Sequence, residues 1–221
     1  MTVLLRVDAS ARLDRSITRQ MADRFIEGWR TSEPDALVFA RDVGRQPPSI
    51  VSETSIRAGF TQPENRSQEM NDALAESMTL IDEVRRADVL VLGAPLYNYG
   101  LPASLKAWID QIIRPGETFS FDLQRGDFPI QSTLRGKSLV VLSSRGEFGF
   151  EPGGIRDGWN HLNPHLLTIA TRLLGITARD IYEIASEYQE FDDERHHRSR
   201  EQALHDAAEL GSRLAAARRT P

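Results

Sequence analysis

Three short segments of this chain concentrate hydroxyls, amides, aromatics and glycine in the way a small-molecule site requires. The first runs from Ser10 to Thr18 and sets hydroxyls at Ser10, Ser16 and Thr18 around Ile17, where a helical pattern begins. A helix start leaves backbone N–H groups unpaired and presents the positive end of the dipole, so with nearby hydroxyls it suits a phosphate. Ser16 is equally a favoured N-cap, and Arg12 and Arg15 beside it either shield an anion or simply solvate the loop. The second segment, Gly93 to Pro102, places Leu96, Tyr97, Asn98 and Tyr99 among prolines and glycines. That is an apolar wall with amide donors for a flat heterocycle, or else a turn whose tyrosines cover the core edge. The third, Ser143 to Gly149, offers Ser144, Arg145, Gly146 and Glu147, where glycine lets backbone N–H groups come close to a ring carbonyl.

What these segments lack narrows the chemistry. No G-x-G-x-x-G is present to hold a dinucleotide pyrophosphate, and no G-x-x-x-x-G-K-[ST] to hold a triphosphate, so a terminal monophosphate is the natural guest. The chain has no cysteine, which removes thiolate nucleophiles, cysteine-ligated metal and disulfides, and leaves redox chemistry dependent on a bound cofactor. His161 and His165 have the spacing of a helical metal pair, but no glutamate lies between them and Pro164 interrupts the run, so no metal site is expected.

The elements that must position the three segments follow from apolar patterning. Thr2–Asp8, Ala36–Asp42, Val89–Leu92, Leu139–Leu142 and Ile176–Ala185 read as five buried strands. Helical spacing marks a helix from near Ser16, a long one through Leu74 and Val84, one through Leu105 and Ile112, one ending at Gly175, and an amphipathic Glu201–Ala217. Alternating strands and helices predict an α/β fold with a five-stranded parallel sheet, order 2-1-3-4-5, covered by helices on both faces. Ligands of such sheets bind beyond the carboxyl ends of the strands, where the loops after strands one, three and four all lie. The stretch from Gly44 to about Arg66, with three prolines, reads as irregular, either a lid or a surface excursion. Thr118–Phe128 reads as an inserted hairpin, and the charged run Asp192–Arg198 as a solvated face or a helix entry.

Composition agrees with one folded domain over residues 1–221. Of 221 residues, 40% are hydrophobic and 27% charged, as in ordinary globular proteins. A net charge of -5 gives no basic field for nucleic acid or an anionic membrane, and no apolar run long enough for a membrane span or signal peptide is visible. The expectation is a cytoplasmic protein with neither partner. A phosphate grip, an aromatic platform and a backbone-amide loop at one sheet edge are together the parts of an FMN site.

The run Ala94-Pro95-Leu96-Tyr97-Asn98-Tyr99-Gly100-Leu101-Pro102-Ala103-Ser104-Leu105-Lys106 resembles the A-P-M-Y-N-F-x-I-P-x-x-L-K signature of the FMN-dependent NADH azoreductases, relatives of the NAD(P)H:quinone oxidoreductases. Arg114-Pro115-Gly116-Glu117-Thr118-Phe119 resembles that family's R-x-G-x-T-F, and Gly136-Lys137 also fits. The resemblance implies a flavodoxin-like homodimer that takes hydride from NADH or NADPH on FMN and passes it to a quinone or azo compound in a ping-pong cycle. By the same resemblance Ser10, Ser16, Ile17 and Thr18 hold the FMN phosphate; Leu96, Tyr97, Asn98 and Tyr99 line the isoalloxazine; and Ser144, Arg145, Gly146 and Glu147 approach its pyrimidine edge. Phe119 either covers the substrate side or packs in the core. Flavin chemistry asks for no side-chain acid or base, so no catalytic residue is assigned. Two features depart from the family: Glu147 stands where S-R-G-G is usual, and the glycine-rich 148–159 loop is longer. A flavodoxin-like FMN electron carrier docking to protein partners is the second reading, disfavoured by the chain's length, its modest acidity and the inserted segments. A phosphate-ester or thioester hydrolase ranks last, without a G-x-S-x-G elbow or a cysteine.

Overall fold

Residues 1–219 are described by a computed structural model. The apolar runs become β1 (Val3–Asp8), β2 (Leu37–Asp42), β3 (Val89–Gly93), β6 (Ser138–Ser144) and β7 (Ile181–Ser186), all parallel in the order β2-β1-β3-β6-β7. This is the expected order, because β4 (Phe119–Phe121) and β5 (Ile130–Ser132) form a separate antiparallel hairpin. β3 and β6 are buried at every residue, as central strands covered on both faces must be.

Strand side chains alternate between two cores. On one face Leu4, Val89, Val91, Val140 and Leu142 meet Met21, Phe25 and Trp29 of α1 (Ile17–Ser32) and Leu210 of α6 (Glu194–Arg219). On the other, Leu5, Val7, Leu90, Leu92 and Val141 meet Ile81 of α3 (Gln68–Arg86), Trp108 of α4 (Ala103–Ile112) and Leu166 of α5 (Asn163–Arg172). The period of two along each strand is what sends neighbours to opposite cores. Asp8 is in register with both Asp42 and Gly93, and Gly93 with Leu142, so the strands end nearly level and their loops emerge side by side.

Four boundaries differ from expectation. The 44–66 stretch is not irregular throughout, for it holds α2 (Glu53–Phe60), started by a reciprocal capping box between Ser52 and Ser55. Only Ala58 of α2 is buried, and its one apolar pair at helical spacing, Ile56 and Phe60, is exposed, so no core-facing stripe long enough to announce the helix is present. The hairpin runs on past Phe128 to Ser132. β7 starts at Ile181, after a short 3-10 turn over Ala178–Asp180. Finally, α6 begins at Glu194, so the charged run is the helix entry, its first turn held by Asp193 accepting from the N–H groups of Arg195 and His196.

α1 and α6 approach closely at glycines on both helices. A Cβ on Gly28 would collide with the Ala208 carbonyl, and one on Gly211 with that of Phe25. Because the obstacles are helix backbone, relief requires the helices to separate. Gly211→Ala is therefore expected to cost about 1–3 kcal/mol, the usual scale of core overpacking, read as a lower denaturation midpoint at unchanged m-value.

Candidate functional site

At the carboxyl edge of the sheet lies a cavity of about 420 Å³ lined from four loops. β1 delivers the first of them. Ser16 takes extended backbone angles and its Oγ accepts from the Arg19 N–H at 3.4 Å, making it the N-cap of α1. Ser10 Oγ accepts from the Arg12 N–H at 3.2 Å. Ser10, Arg12, Arg15, Ser16 and Ile17 all line the cavity. Thr18 does not: it is wholly buried behind the loop, with its Oγ1 3.2 Å from Ser16 Oγ, so it orients that hydroxyl instead of facing the cavity.

The second loop continues the β3–β6 pairing, the Leu96 N–H donating to Ser144 O at 2.9 Å, before turning sharply. Tyr97 and Gly100 exchange both backbone hydrogen bonds around Asn98 (φ 48°) and Tyr99 (φ 64°). Two positive φ values in a two-residue turn are the geometry of type I′, easy for asparagine and costly for tyrosine. The strain at Tyr99 is balanced by a set of anchors. Its carbonyl accepts from the His161 N–H at 2.8 Å, its hydroxyl donates to Glu147 Oε2 at 2.9 Å, and its ring meets the edge of Trp159 at 5.7 Å and lies 6.4 Å from Phe150. Pro95, Leu96, Tyr97 and Asn98 line the main cavity. Tyr99 and Glu147 line an adjoining one of about 260 Å³, which also touches Leu96, Asn98, Gly146 and Glu190.

After β6, Ser144 and Gly146 reach the cavity, but the Arg145 side chain does not. Its guanidinium is 3% exposed and donates through Nη1 to Glu151 and Glu187, both at 3.1 Å. Buried charge of this kind demands carboxylate partners, and it finds one in the largely covered Glu187 and another in the exposed Glu151. The Arg145 N–H likewise donates to Ser186 O at 2.8 Å, so only its neighbours are aimed at a ligand. Glu147, the departure from the family pattern, is engaged by Arg156 of the long 148–159 loop as well as by Tyr99. First Arg156 and then the Tyr99 hydroxyl hold its carboxyl below the ordinary range, while the same bond to Glu147 raises Tyr99.

The fourth loop, after β7, was absent from sequence expectation. Gln189 and Glu190 line the cavity, and their N–H groups donate to the carbonyls of Arg145 and Gly146 at 3.2 and 2.9 Å. A Cβ on Gly146 would sit 2.6 Å from Glu190 Oε1, so glycine here admits the β7 loop. Their position beyond a strand's carboxyl end was the available signal. Phe119 lies elsewhere. Its hairpin is tied through Glu117, whose carbonyl accepts from Arg85 and from Thr133, to the end of α3 that precedes β3. That is the opposite edge of the sheet from this chain's own cavity. No α2 residue lines the cavity either, and among the described residues neither His161 nor His165 joins a metal-sized cluster.

The donor set suits FMN. Two serine hydroxyls, a helix start and the exposed guanidinium groups of Arg12 and Arg15, neither paired with a carboxylate, match a phosphate dianion, while Leu96, Tyr97, Asn98 and the Cβ-free edge at Gly146 match a flat ring. Comparison with known proteins agrees. A family model described as flavodoxin-like fold matches residues 2–210. FMN-dependent NADH:quinone oxidoreductase 2 of Idiomarina loihiensis is 48% identical over 97% of this chain and 91% of its own length. The chain belongs to this family. FMN-dependent NAD(P)H:quinone oxidoreductase 1 of Pseudomonas aeruginosa is 42% identical over 86% of the chain and 89% of its length. Among solved structures, an FMN-dependent NADH-azoreductase from Bacillus anthracis in complex with FMN superposes with a TM-score of 0.83 at 18% identity, covering 97% of this chain and 100% of that one, which supports the flavodoxin-like fold.

The Glu147 anchor makes the long loop sensitive to acid. A carboxylate whose folded-state pKa is depressed stabilises fully above its unfolded value and loses that contribution as the pH falls through the folded one. The protection factor for hydrogen exchange across 148–159, which removes the intrinsic pH dependence of the exchange reaction, is thus expected to fall on acidification below about pH 4, the ordinary carboxylate range, and in Glu147→Gln to be lower at neutral pH and insensitive to acid. An identical pH response in the variant would show that other carboxylates govern this loop.

Proposed function

We propose that this chain is an FMN-dependent NAD(P)H oxidoreductase reducing quinones and aromatic azo compounds, working as a homodimer in the cytoplasm with 1–221 as one domain. The observation that supports it above all is the convergence, in one cavity, of the Ser10/Ser16 loop with Arg12 and Arg15, the Leu96–Asn98 wall and the Gly146 edge. The names of the relatives agree with it and do not favour an electron carrier. Nothing basic on the net charge invites nucleic acid, and among the described residues no helix is long and apolar enough to cross a membrane.

When bound, FMN supplies the redox chemistry, taking hydride from a nicotinamide and returning two electrons to an acceptor. The chain's own residues bind and orient. Ser10, Ser16 and the first-turn N–H groups of α1 would hold the phosphate, with Ile17 beside them on the cavity wall and Thr18 fixing the Ser16 hydroxyl. Leu96, Tyr97 and Asn98 would line the ring, with Tyr99 in the adjoining cavity. Ser144 and the Gly146 backbone would present polar groups to its pyrimidine edge, and Arg145 and Glu147 hold that loop in place through their ion pairs. Phe119 does not line the cavity of its own chain, so it takes no part in holding a ligand seated there.

Purified protein is expected to be yellow or to become so with added FMN, and to consume NADH in the presence of menadione or methyl red. A protein that stays colourless and leaves FMN fluorescence unchanged is not a flavin enzyme, and one that binds FMN without consuming nicotinamide is the carrier. Ser16→Ala is expected to weaken FMN by about 1–2 kcal/mol, the scale of a hydrogen bond to a charged group, measured by fluorescence titration.

A further inference from the structure

Arg19 occupies the third position of α1, where the helix dipole disfavours a cation and a capping box would place a glutamate. Its side chain does not escape to solvent, being 13% exposed. Nε donates to the carbonyl of Arg12 at 3.0 Å and Nη2 to that of Ser10 at 2.8 Å. The outer face of the guanidinium forms a two-point fork with Asp42 at the end of β2, at 2.7 and 2.8 Å, and Nη1 lies 3.6 Å from Asp8 at the end of β1. The Asp42 carboxylate accepts the Arg45 N–H as well, at 3.0 Å, which fixes it from behind.

We infer that Arg19 is a positioning residue for phosphate recognition: by drawing the carbonyls of Ser10 and Arg12 toward the sheet, it shapes the loop to receive an anion. The inference rests on the FMN reading of the cavity. A trans peptide points its N–H opposite to its C=O, so pulling the Ser10 carbonyl inward turns the Ala11 N–H outward, and that N–H meets the Tyr97 hydroxyl of the cavity wall at 3.3 Å. With those carbonyls released, their oxygens would be free to face the phosphate and repel it. A lysine keeps the charge at this position but cannot serve two carbonyls and a carboxylate fork at once, because its donors radiate from one atom. The same clamp couples β2, which supplies no cavity residue, to the loop after β1.

The test compares FMN with riboflavin, which lacks the phosphate, by fluorescence titration of flavin-stripped protein. In Arg19→Lys the FMN Kd is expected to rise about tenfold or more, the scale of losing a charge-assisted bidentate contact, while the riboflavin Kd stays within about twofold. Asp42→Asn, which spares the loop carbonyls, is expected to shift FMN in the same direction by a smaller factor and keeps the test standing should the first variant unfold. Equal weakening of both flavins would reduce Arg19 to a general fold contact and overturn the inference, as would unchanged FMN affinity in both variants. If the unaltered protein already fails to distinguish FMN from riboflavin, the phosphate site itself falls and the clamp with it.

Discussion

The level ending of five parallel strands is the constraint on which the rest depends. In a parallel sheet each strand is fed by a crossover and leaves at the same edge, so all the connecting loops on that edge begin with unpaired peptide groups. Here those groups are largely satisfied by one another. The Leu96 N–H reaches Ser144 O, the Arg145 N–H reaches Ser186 O, and Gln189 and Glu190 donate back to Arg145 and Gly146. The loops so tied together line the cavity. The cavity's position therefore follows from topology before any side chain is considered.

On that frame, charged side chains act mainly as fasteners for backbone. Arg19 ties the first loop to β2, Arg145 ties the loop after β6 to Glu187 and Glu151, and Glu147 ties the strained Asn98-Tyr99 turn to Arg156. The 148–159 loop brings Arg156 and Trp159 to the turn, and Glu147 gives Arg156 and the Tyr99 hydroxyl a common acceptor. Buried or half-buried ion pairs are weak evidence of net stability but strong evidence of geometry, because removing one partner strands the other. The aromatic group Phe148, Tyr188 and Phe191, with Arg195 about 5–6 Å from each ring, continues the same fastening into the β7 loop.

Much of the fold was legible in the chain itself. Strands β1, β3 and β6 declare themselves as continuous apolar runs because a strand buried on both faces has no polar period to hide behind. Ser16 before Ile17, Met21 and Phe25 marks the first helix within a residue, since N-cap chemistry is local. α2 was not legible, because a helix resting one alanine on its neighbour carries no core-facing apolar stripe, and its signature, Ser52 bonding with Ser55, is not the usual Ser/Thr with Glu/Gln.

The site divides along the same line. Sequence by itself determined which loops would meet at one edge, that no thiol is available, and that Ser10, Ser16, Leu96, Tyr97, Asn98 and Gly146 would line one cavity, because strand order and turn composition are written in short windows. Only the tertiary structure decided that Arg145 turns inward, that Thr18 stands behind Ser16, that Phe119 lies at the far edge, and that Gln189, Glu190 and Arg19 join the site or shape it. Arg145 and Arg19 hang on partners distant along the chain, Glu187 for the one and Asp42 for the other. The pairing energy of such groups depends on a distance and a burial that do not exist until the sheet has formed.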